Sequence, residues 1–440
     1  MENQTIVSQA TPLGHSSIAV VRLSGDLSFA IGNKLANSKK PRKHLETVLL
    51  PIFDSVGRGI DSGVYTFFKN PASYTGEDVV EISCYGNPVV VRMVLDHSIS
   101  LGARLAEPGE YTKRAFLNGK MSLSQAESVG ALIAAKSENA IYHNNKNIEG
   151  ASSKRVKEIK KNLVGALSTL EYELDISEED KITKNSIDNI LKLLKNSRME
   201  CSKLLGSFGS GVAFSSGFRV VIVGRPNVGK STLMNALTGL NRSIVNPNEG
   251  TTRDTITHEL TLGGYPITVV DTAGVRVGSD SVEAEGVKRT ALETARADIV
   301  LSVYTKISEP VENIEDKKQI LVYNKHDLHK NKKPNKSEIC ISALNGSGLD
   351  KLTKALTDTL LNITSFSGDV FINTERQRQS VAHCKASIAR SLGPLSTKPL
   401  NIEVAAHELK DAIGSLDSFL GKTTNDEILE EVFSSFCVGK

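Results

Sequence analysis

The stretch GRPNVGKS, residues 224–231, decides the fold of the central part of this 440-residue chain. It follows the apolar run Phe218 to Val223, which predicts a strand, and it precedes the helical pattern Thr232 to Leu237. Glycines at such a junction let backbone N–H groups approach phosphate oxygens at a helix N-terminus. Lys230 would supply positive charge to the β and γ phosphates, and the Ser231 hydroxyl is placed for Mg²⁺. The stretch therefore predicts a P-loop; an ordinary glycine-rich turn is the alternative, which this context disfavours.

Two further motifs, each at the end of a predicted strand, indicate which nucleotide is bound. The run Tyr265 to Val270 ends in Asp271-Thr-Ala-Gly274, where the carboxylate can hold the water shell of the metal and the glycine can meet the γ-phosphate. The run Gln319 to Tyr323 ends in Asn324-Lys325-His-Asp327, which places a carboxylate beyond the base. A carboxylate accepts from guanine N1–H and the 2-amino group, whereas adenine offers no such donor pair. The motifs predict GTP, and backbone N–H groups of Ser342-Ala343-Leu344 could close over the base.

The chain before this block changes character near residue 120. Short β-branched runs alternate with polar loops up to that point, and the predicted strands are Ser17 to Leu23, Val64 to Phe68 and Val79 to Ser83. Helices are predicted over 27–37, 88–99 and 112–118. From Met121 onward the pattern is helical, with Ile159, Leu163, Leu167, Leu170 and Leu174 on one face.

The nucleotide-binding block interrupts this helical region. Residues 206–217 are mostly glycine and serine, the composition of a flexible boundary, and 362–369 form another small polar stretch. Helical pattern returns at 375–392, 402–420 and 425–435. The sequence thus predicts a multidomain α/β and α protein in four segments: an α+β N-terminal domain (1–120), a first helical part (121–216), an inserted P-loop domain (217–365) and a second helical part with the C-terminal tail (366–440).

Composition limits the cellular setting. The apolar fraction is 39% and the formal net charge is +3. No apolar run approaches the 18 residues that a membrane-spanning helix requires. The five cysteines are scattered without a C-x-x-C pair, which signals neither a disulfide framework nor a zinc site. We therefore expect a soluble cytoplasmic protein with reduced thiols and no membrane partner.

Motifs inside the P-loop block and on both sides of it indicate the protein family. Gly250-Thr251-Thr252-Arg253-Asp254 resembles the switch I sequence of a group of translation-factor-like GTPases that includes the Era-like ones. The more specific motifs are TIVSQATPLGHSSIAVVRLSG (5–25), SYTGEDVVEISCYGNP (73–88), EPGEYTKRAFLNGKMSLSQAE (107–127) and the ending FCVGK (436–440). Together they resemble the MnmE (TrmE) family of tRNA-modifying GTPases of the wobble uridine, over essentially the whole chain.

This resemblance implies a function and partners. It implies a folate-binding N-terminal domain that forms a homodimer, a discontinuous helical domain and an inserted P-loop G domain. With an FAD-dependent MnmG/GidA-family protein, the chain would add an aminomethyl-type (carboxymethylaminomethyl) group to carbon 5 of the wobble uridine in tRNA. The carbon would come from a reduced folate, methylene- or formyl-tetrahydrofolate, and GTP hydrolysis would drive domain rearrangement.

The resemblance also implies a set of site residues. The folate contacts fall on Arg22, Glu81, Lys120 and Lys440, where a carboxylate can pair with the pterin edge and cations with the glutamate tail of the folate. The role of Cys437 stays open: it could be a catalytic nucleophile, a metal ligand or an inert thiol. The implied GTP-binding residues are Asn227, Val228, Gly229, Lys230, Ser231, Thr232, Asn246, Pro247, Asn248, Glu249, Gly250, Thr251, Thr252, Asp271, Thr272, Ala273, Gly274, Asn324, Lys325, Asp327, Ser342 and Ala343.

The hydrolytic step needs a group other than the usual glutamine. Val275 stands directly after the DxxG glycine and has no hydrogen-bonding group. The resemblance implies K⁺ held by Asn227, Asn246, Asn248 and Thr251, and Mg²⁺ held by Ser231 and Thr252. It assigns the orientation of the attacking water to Glu283, acting through water; a surface acid is the alternative reading of this residue.

One rival comes from another functional class. An Era-like RNA-binding switch in ribosome assembly would share the G domain motifs. Such proteins usually append a KH module with a GXXG loop, and this chain has no GXXG after Asp369 and is helical in pattern there.

Overall fold

The structure is a computed structural model that describes residues 4–175, 184–240, 256–271, 290–306, 314, 317–328, 338–363, 370–423 and 426–439. The chain divides into two compact units. The first unit consists of residues 1–130, 153–167 and 406–440. The second unit consists of residues 131–152 and 168–405. The domain boundaries predicted above stay predictions.

The first unit contains a six-stranded sheet in the order β3-β4-β5-β2-β1-β6. All neighbouring strands pair antiparallel except β1 and β6, which are parallel. The strands are β1 Ile6–Gln9, β2 Ser16–Ser24, β3 Glu46–Phe53, β4 Gly59–Phe68, β5 Val79–Gly86 and β6 Arg104–Leu105. The three strands predicted from the sequence are thus confirmed, each with two to five additional residues.

Helices cover one face of this sheet. They are α1 Ser28–Leu35 and α2 Pro88–Ser100. Two further helices, α3 Glu110–Leu117 and α4 Leu123–Ile133, follow along the chain. Helix α2 begins where the sequence indicates, because the Asn87 side chain accepts a 2.8 Å hydrogen bond from Val89 N and Pro88 occupies the first turn. Alternate residues of the strands, such as Tyr65, Phe67 and Ile82, are buried against α1 and α2.

The helical pattern of the remaining chain is also confirmed. The helices are α5 Glu138–Ile148, α6 Ala151–Asp175, α7 Lys184–Gly206, α8 Phe208–Ser216, α12 Glu375–Ser396, α13 Ile402–Leu420 and α14 Asp426–Ser434. In α6 the predicted face is buried at Ile159, Leu163 and Leu170. Among the described residues, no helix has the length and apolarity that crossing a membrane would require.

The expectation of a flexible boundary at 206–217 is wrong, because most of this stretch forms α8. Its small residues permit close packing. A Cβ at Gly211 would lie 2.2 Å from Ile372 O, and Ser207 Oγ accepts a 3.2 Å hydrogen bond from Ile372 N. Gly211 and Ser207 therefore allow the chain at Ile372 to approach α8 closely. The second small stretch, 362–369, lies outside the described residues from 364 onward.

The second unit contains a six-stranded sheet in the order β12-β11-β10-β7-β9-β8. Strand β8 pairs antiparallel with β9, and the other neighbouring strands of this sheet pair parallel. The strands are β7 Phe218–Val223, β8 Ile256–Leu262, β9 Tyr265–Asp271, β10 Ile299–Tyr304, β11 Lys318–Tyr323 and β12 Ile339–Cys340. The helices are α9 Lys230–Leu240, α10, of which residues 290–296 are described, and α11 Leu349–Ile363.

Parallel pairing brings the carboxyl ends of the strands to one edge of this sheet. The P-loop follows β7, Asp271 ends β9, and Asn324 follows β11. Ligands of open α/β sheets bind at this edge. The predicted multidomain α/β and helical fold is confirmed.

Candidate nucleotide-binding site

The loop between β7 and α9 has backbone conformations that need particular residues. Gly224 has φ +152° and a Cβ there would lie 2.2 Å from Val303 O. Gly229 has φ +92° and a Cβ there would lie 2.5 Å from Asn324 Nδ2. Asn227 has φ 63°, a left-handed conformation that asparagine tolerates better than most residues. The loop geometry therefore accounts for the glycines and the asparagine of the motif.

Lys230 begins helix α9 and turns its ammonium group back into the loop. Its Nζ donates hydrogen bonds to Gly224 O at 2.7 Å and to Arg225 O at 3.0 Å. The residue is 7% exposed, and burial lowers the pKa of the amine, with Asp271 acting in the opposite direction. An anionic phosphate in this loop would favour the charged form and replace the carbonyl contacts.

Ser231 and Asp271, both predicted to lie at the metal, are in contact. Ser231 Oγ donates a 2.7 Å hydrogen bond to Asp271 Oδ2, and Asp271 is 2% exposed at the end of β9. A hydroxyl and a buried carboxylate are hard oxygen donors of the kind that Mg²⁺ prefers. Thr232 is exposed in the same helical turn.

The base side of the site is organised by Asn324. Its Nδ2 donates to Val228 O at 2.8 Å, and its Oδ1 accepts from Ala343 N at 3.0 Å. Lys325 Nζ donates to Asn227 O at 2.8 Å. Asp327 lies partly exposed in the 3-10 turn His326–Leu328, beyond these contacts.

The loop expected to close over the base has its first two amides engaged inside the protein. Ser342 N donates to Ser347 O at 2.8 Å, and Ala343 N is the donor to Asn324. In this structure these two N–H groups therefore donate within the protein and stabilise the loop.

The first unit brings together a different group of predicted residues. Arg22 on β2 and Glu81 on β5 are register partners. Arg22 Nε donates a 2.8 Å hydrogen bond to Glu81 Oε1, and Nη2 lies 2.7 Å from the same oxygen in an ion pair. The guanidinium also lies over the Tyr111 ring, 5.6 Å from its centroid. Tyr111 Oη donates to Arg22 O at 2.7 Å. Tyr111 stands in the EPGEY motif but was not among the predicted site residues.

The C-terminal tail reaches this group. Arg22 Nη1 donates to Gly439 O at 3.2 Å, and Cys437 is exposed. Lys120 contacts a different element, because its Nζ donates to Pro71 O at 2.9 Å. The remaining predicted site residues lie outside the described residues: Asn246, Pro247, Asn248, Glu249, Gly250, Thr251, Thr252, Thr272, Ala273, Gly274, Glu283 and Lys440.

Phosphate, metal and guanine-reading elements at the ends of parallel strands define a P-loop GTPase. The family model "MnmE helical domain" matches residues 123–437, and the model "GTP-binding protein TrmE N-terminus" matches residues 5–120. The chain therefore belongs to the MnmE family of GTPases, as the sequence motifs predicted. The rival assignment to Era-like ribosome-assembly switches is set aside by this membership.

Relatives match over the full length. A protein of Thermotoga petrophila named tRNA modification GTPase MnmE is 38% identical over 458 residues, covering 99% of this chain and 100% of the relative. The Aquifex aeolicus protein of the same name is 36% identical over 448 residues, with 99% and 100% coverage. Among solved structures, a variant of Aquifex aeolicus Era bound to GDP.AlF4- is 25% identical, with a TM-score of 0.26, over 39% of this chain and 66% of that chain.

Proposed function

We propose that this GTPase acts in tRNA modification at the wobble uridine. With an FAD-dependent MnmG/GidA-family partner, it would add an aminomethyl-type (carboxymethylaminomethyl) group to carbon 5, using a one-carbon unit from methylene- or formyl-tetrahydrofolate. The observation that carries the proposal is the presence, in one chain, of two separate ligand clusters. One is the Asn324-centred nucleotide site, and the other is the Arg22–Glu81 pair with the tail beside it.

The nucleotide is GTP with Mg²⁺. Ser231 Oγ and Asp271 Oδ2, with Thr252 by family resemblance, would hold the metal, directly or through its water shell. Mg²⁺ would neutralise charge that develops on the phosphates during hydrolysis. Asp327 would accept from guanine, and the P-loop amides with Lys230 would hold the phosphates.

Hydrolysis is proposed to depend on K⁺ and on Glu283. The side chain of Asn227 is exposed at the P-loop, where its oxygen can serve as one K⁺ ligand. The other proposed K⁺ ligands, Asn246, Asn248 and Thr251, and the water-orienting Glu283 are assigned by family resemblance alone. A cation beside the phosphates would supply the charge that an arginine finger supplies in other GTPases.

A reduced folate is the proposed ligand of the first unit. Arg22 uses only Oε1 of Glu81, and among the described residues Glu81 Oε2 has no hydrogen-bond partner. That oxygen can accept from the 2-amino group of a pterin, while Lys120 and Lys440 can meet carboxylates of the ligand. When bound, the folate would supply the one-carbon unit.

A homodimer is proposed for the first unit. Its sheet has an outward face on which Leu49, Val64 and Tyr85 are 67%, 39% and 69% exposed, and Leu49 and Val64 are register partners. Burying such a face against a second copy would remove apolar area from water. Sedimentation of the wild type and of Leu49→Asp measures the oligomeric state. We expect a dimeric wild type and a monomeric variant, and a monomeric wild type would contradict the proposal.

The cytoplasm is the proposed location.

Mass spectrometry of tRNA wobble uridines from cells with and without this protein tests the proposed activity. We expect the aminomethyl-type modification to disappear without the protein and to return with the wild type but not with Lys230→Ala. Removal of Cys437 to Lys440 should abolish modification and leave GTP hydrolysis nearly intact, because the tail belongs to the other unit. Unchanged wobble uridines in cells without the protein would contradict the proposal.

A further inference from the structure

Two glycines of the first unit form a surface against which the end of the chain is packed. A Cβ at Gly109 would lie 2.6 Å from Phe433 O and 3.1 Å from Phe436 Cβ. A Cβ at Gly130 would lie 2.9 Å from Phe436 Cζ and 3.1 Å from its Cε2. A Cβ at Gly109 would therefore collide with the Phe433 backbone, and a side chain at Gly130 would require the Phe436 ring to leave its present position. We call Gly109 and Gly130 the glycine slot.

Gly130 is otherwise unfavourable where it stands. It lies inside helix α4, where glycine costs about 1 kcal/mol relative to alanine. Gly109 has φ +68° at the start of α3, a conformation that favours glycine. The contact with Phe436 gives a physical reason for Gly130 that helix formation alone does not.

The aromatic ring in the slot is held on its other side as well. The Phe433 and Phe436 ring centroids are 5.6 Å apart, and Phe436 N donates to Phe433 O at 3.0 Å. Phe436 packs on the apolar cluster formed by Leu123, Ala126, Leu429 and Phe433. The Phe436 ring therefore packs just beyond the end of helix α14.

From Phe436 the chain runs directly to Arg22. Val438 forms an antiparallel bridge with Pro108, and Gly109 N is 3.5 Å from Cys437 O. Gly439 follows with φ +99°, and a Cβ there would lie 2.4 Å from Gln9 O. Gly439 O then accepts the hydrogen bond from Arg22. Only Cys437 and Val438 thus lie between Phe436 and Gly439, the residue that contacts Arg22.

We propose that the glycine slot is a positioning device: it seats Phe436 and thereby places Cys437, Val438 and Gly439 beside the Arg22–Glu81 cluster. Gly109 and Gly130 act through the tail and do not themselves touch the ligand. The consequence for ligand binding rests on the proposed folate function, whereas the seating of the tail does not.

A valine in the slot tests the device. Gly130→Val should expel the ring, and Gly165→Val is the matched control, because Gly165 is an exposed glycine inside helix α6 with no atom within 4 Å of its Cβ position. The first measurement is the rate at which carboxypeptidase Y releases the C-terminal residues. We expect release to be about tenfold faster than wild type in Gly130→Val, which corresponds to about 1.4 kcal/mol, and unchanged in the control.

Phe436→Ala tests the same contact from the other side. It should free the tail without altering helix α4, and combining it with Gly130→Val should add little, because both changes remove one interaction. The second measurement is calorimetric binding of 5-formyltetrahydrofolate, for which we expect about tenfold weaker affinity in each slot variant. GTP hydrolysis, which belongs to the second unit, should not change.

Equal release rates in Gly130→Val, Phe436→Ala and the wild type would overturn the proposal. Faster release with unchanged folate affinity would overturn the positioning role. If the wild type does not bind the folate, the folate assignment under Proposed function fails, and the release rates alone then support or overturn seating of the tail by the slot.

Discussion

Asn324 Nδ2 donates a 2.8 Å hydrogen bond to Val228 O, so that one buried side chain ties the segment proposed to read guanine to the proposed phosphate loop. The Oδ1 of the same residue accepts from Ala343 N, which adds a third loop. Base and phosphate recognition are therefore mechanically joined before a nucleotide arrives. This arrangement reduces the ordering that binding would otherwise require.

Asn324→Ala should lower nucleotide affinity and stability together. The change leaves Val228 O and Ala343 N without their partner, at a cost of about 1–3 kcal/mol for each buried group. We expect GDP affinity to fall by about tenfold or more, and the midpoint of thermal unfolding to fall with it. Fluorescent-nucleotide titration and calorimetry measure both quantities. Asn235→Ala, an exposed position on α9, is the control, and equal effects of the two changes would argue against the clamp.

Asp327→Asn should shift base preference from guanine toward xanthine. The amide cannot accept from both guanine N1–H and the 2-amino group, whereas its own N–H can donate to the additional oxygen of xanthine. Competition between GTP and XTP for the wild type and the variant measures the shift. Equal competition by both nucleotides before and after the change would show that Asp327 does not read the base.

Potassium should accelerate GTP turnover far beyond sodium, and the side chain of Asn227 should be required for this. Because Asn227 has φ 63°, replacement by alanine adds backbone strain of about 1–2 kcal/mol. Asn227→Gly removes the same ligand without that strain and is the better test. Loss of the K⁺ effect in both variants supports the assignment.

Glu283→Ala should lose hydrolysis while still binding GTP, because the residue is assigned to the attacking water and not to the nucleotide. Single-turnover hydrolysis and nucleotide titration separate the two properties. A fully active Glu283→Ala protein, with equal rates in K⁺ and Na⁺, would return the domain to an ordinary slow switch.

Arg22→Ala should weaken binding of a reduced folate. The change removes a charged hydrogen-bonding group and frees Glu81 and the Gly439 carbonyl, so we expect about a tenfold or larger loss of affinity. Calorimetry with 5-formyltetrahydrofolate measures it. Arg92→Ala, on the exposed side of α2, serves as the matched control. Unchanged affinity in Arg22→Ala would remove this residue from the site.

Acid should destabilise the first unit partly through Glu110. Burial pushes the pKa of this carboxyl up, but hydrogen bonds from Arg104 and Arg114 and from Glu107 N outweigh it, and the pKa is lowered overall. The stabilisation is present above the unfolded pKa of about 4.3 and is lost as pH falls through the lower folded pKa. Urea unfolding of the wild type and Glu110→Gln at pH 7 and below pH 4.3 should show a difference that shrinks in acid. A constant difference would contradict this linkage.

The sequence predicts central strands better than it predicts contacts between residues that are far apart in the chain. β7 agrees with the predicted Phe218 to Val223 residue for residue, because a mostly buried central strand is apolar at nearly every position, Arg219 being the exception here. Helix α8 was missed because small residues that allow close packing have the same composition as a flexible linker. The Arg22–Glu81 pair depends on the register of β2 and β5, and the reach of Asn324 to Val228 joins positions 96 residues apart. Neither contact produces a local pattern in the sequence from which it could be predicted.

The apolar cluster around the second sheet includes residues from outside 217–365. Ala140 on α5, Ala213 on α8 and Phe371 are all buried in it, and Phe371 is also held by His143, whose ring centroid is 4.4 Å away. A recombinant fragment limited to residues 217–365 would lack these residues. It would expose the apolar surface that they cover, and such a surface favours self-association. Anyone wishing to crystallise or assay the nucleotide-binding part alone would do better to keep α5, α8 and Phe371 attached to it.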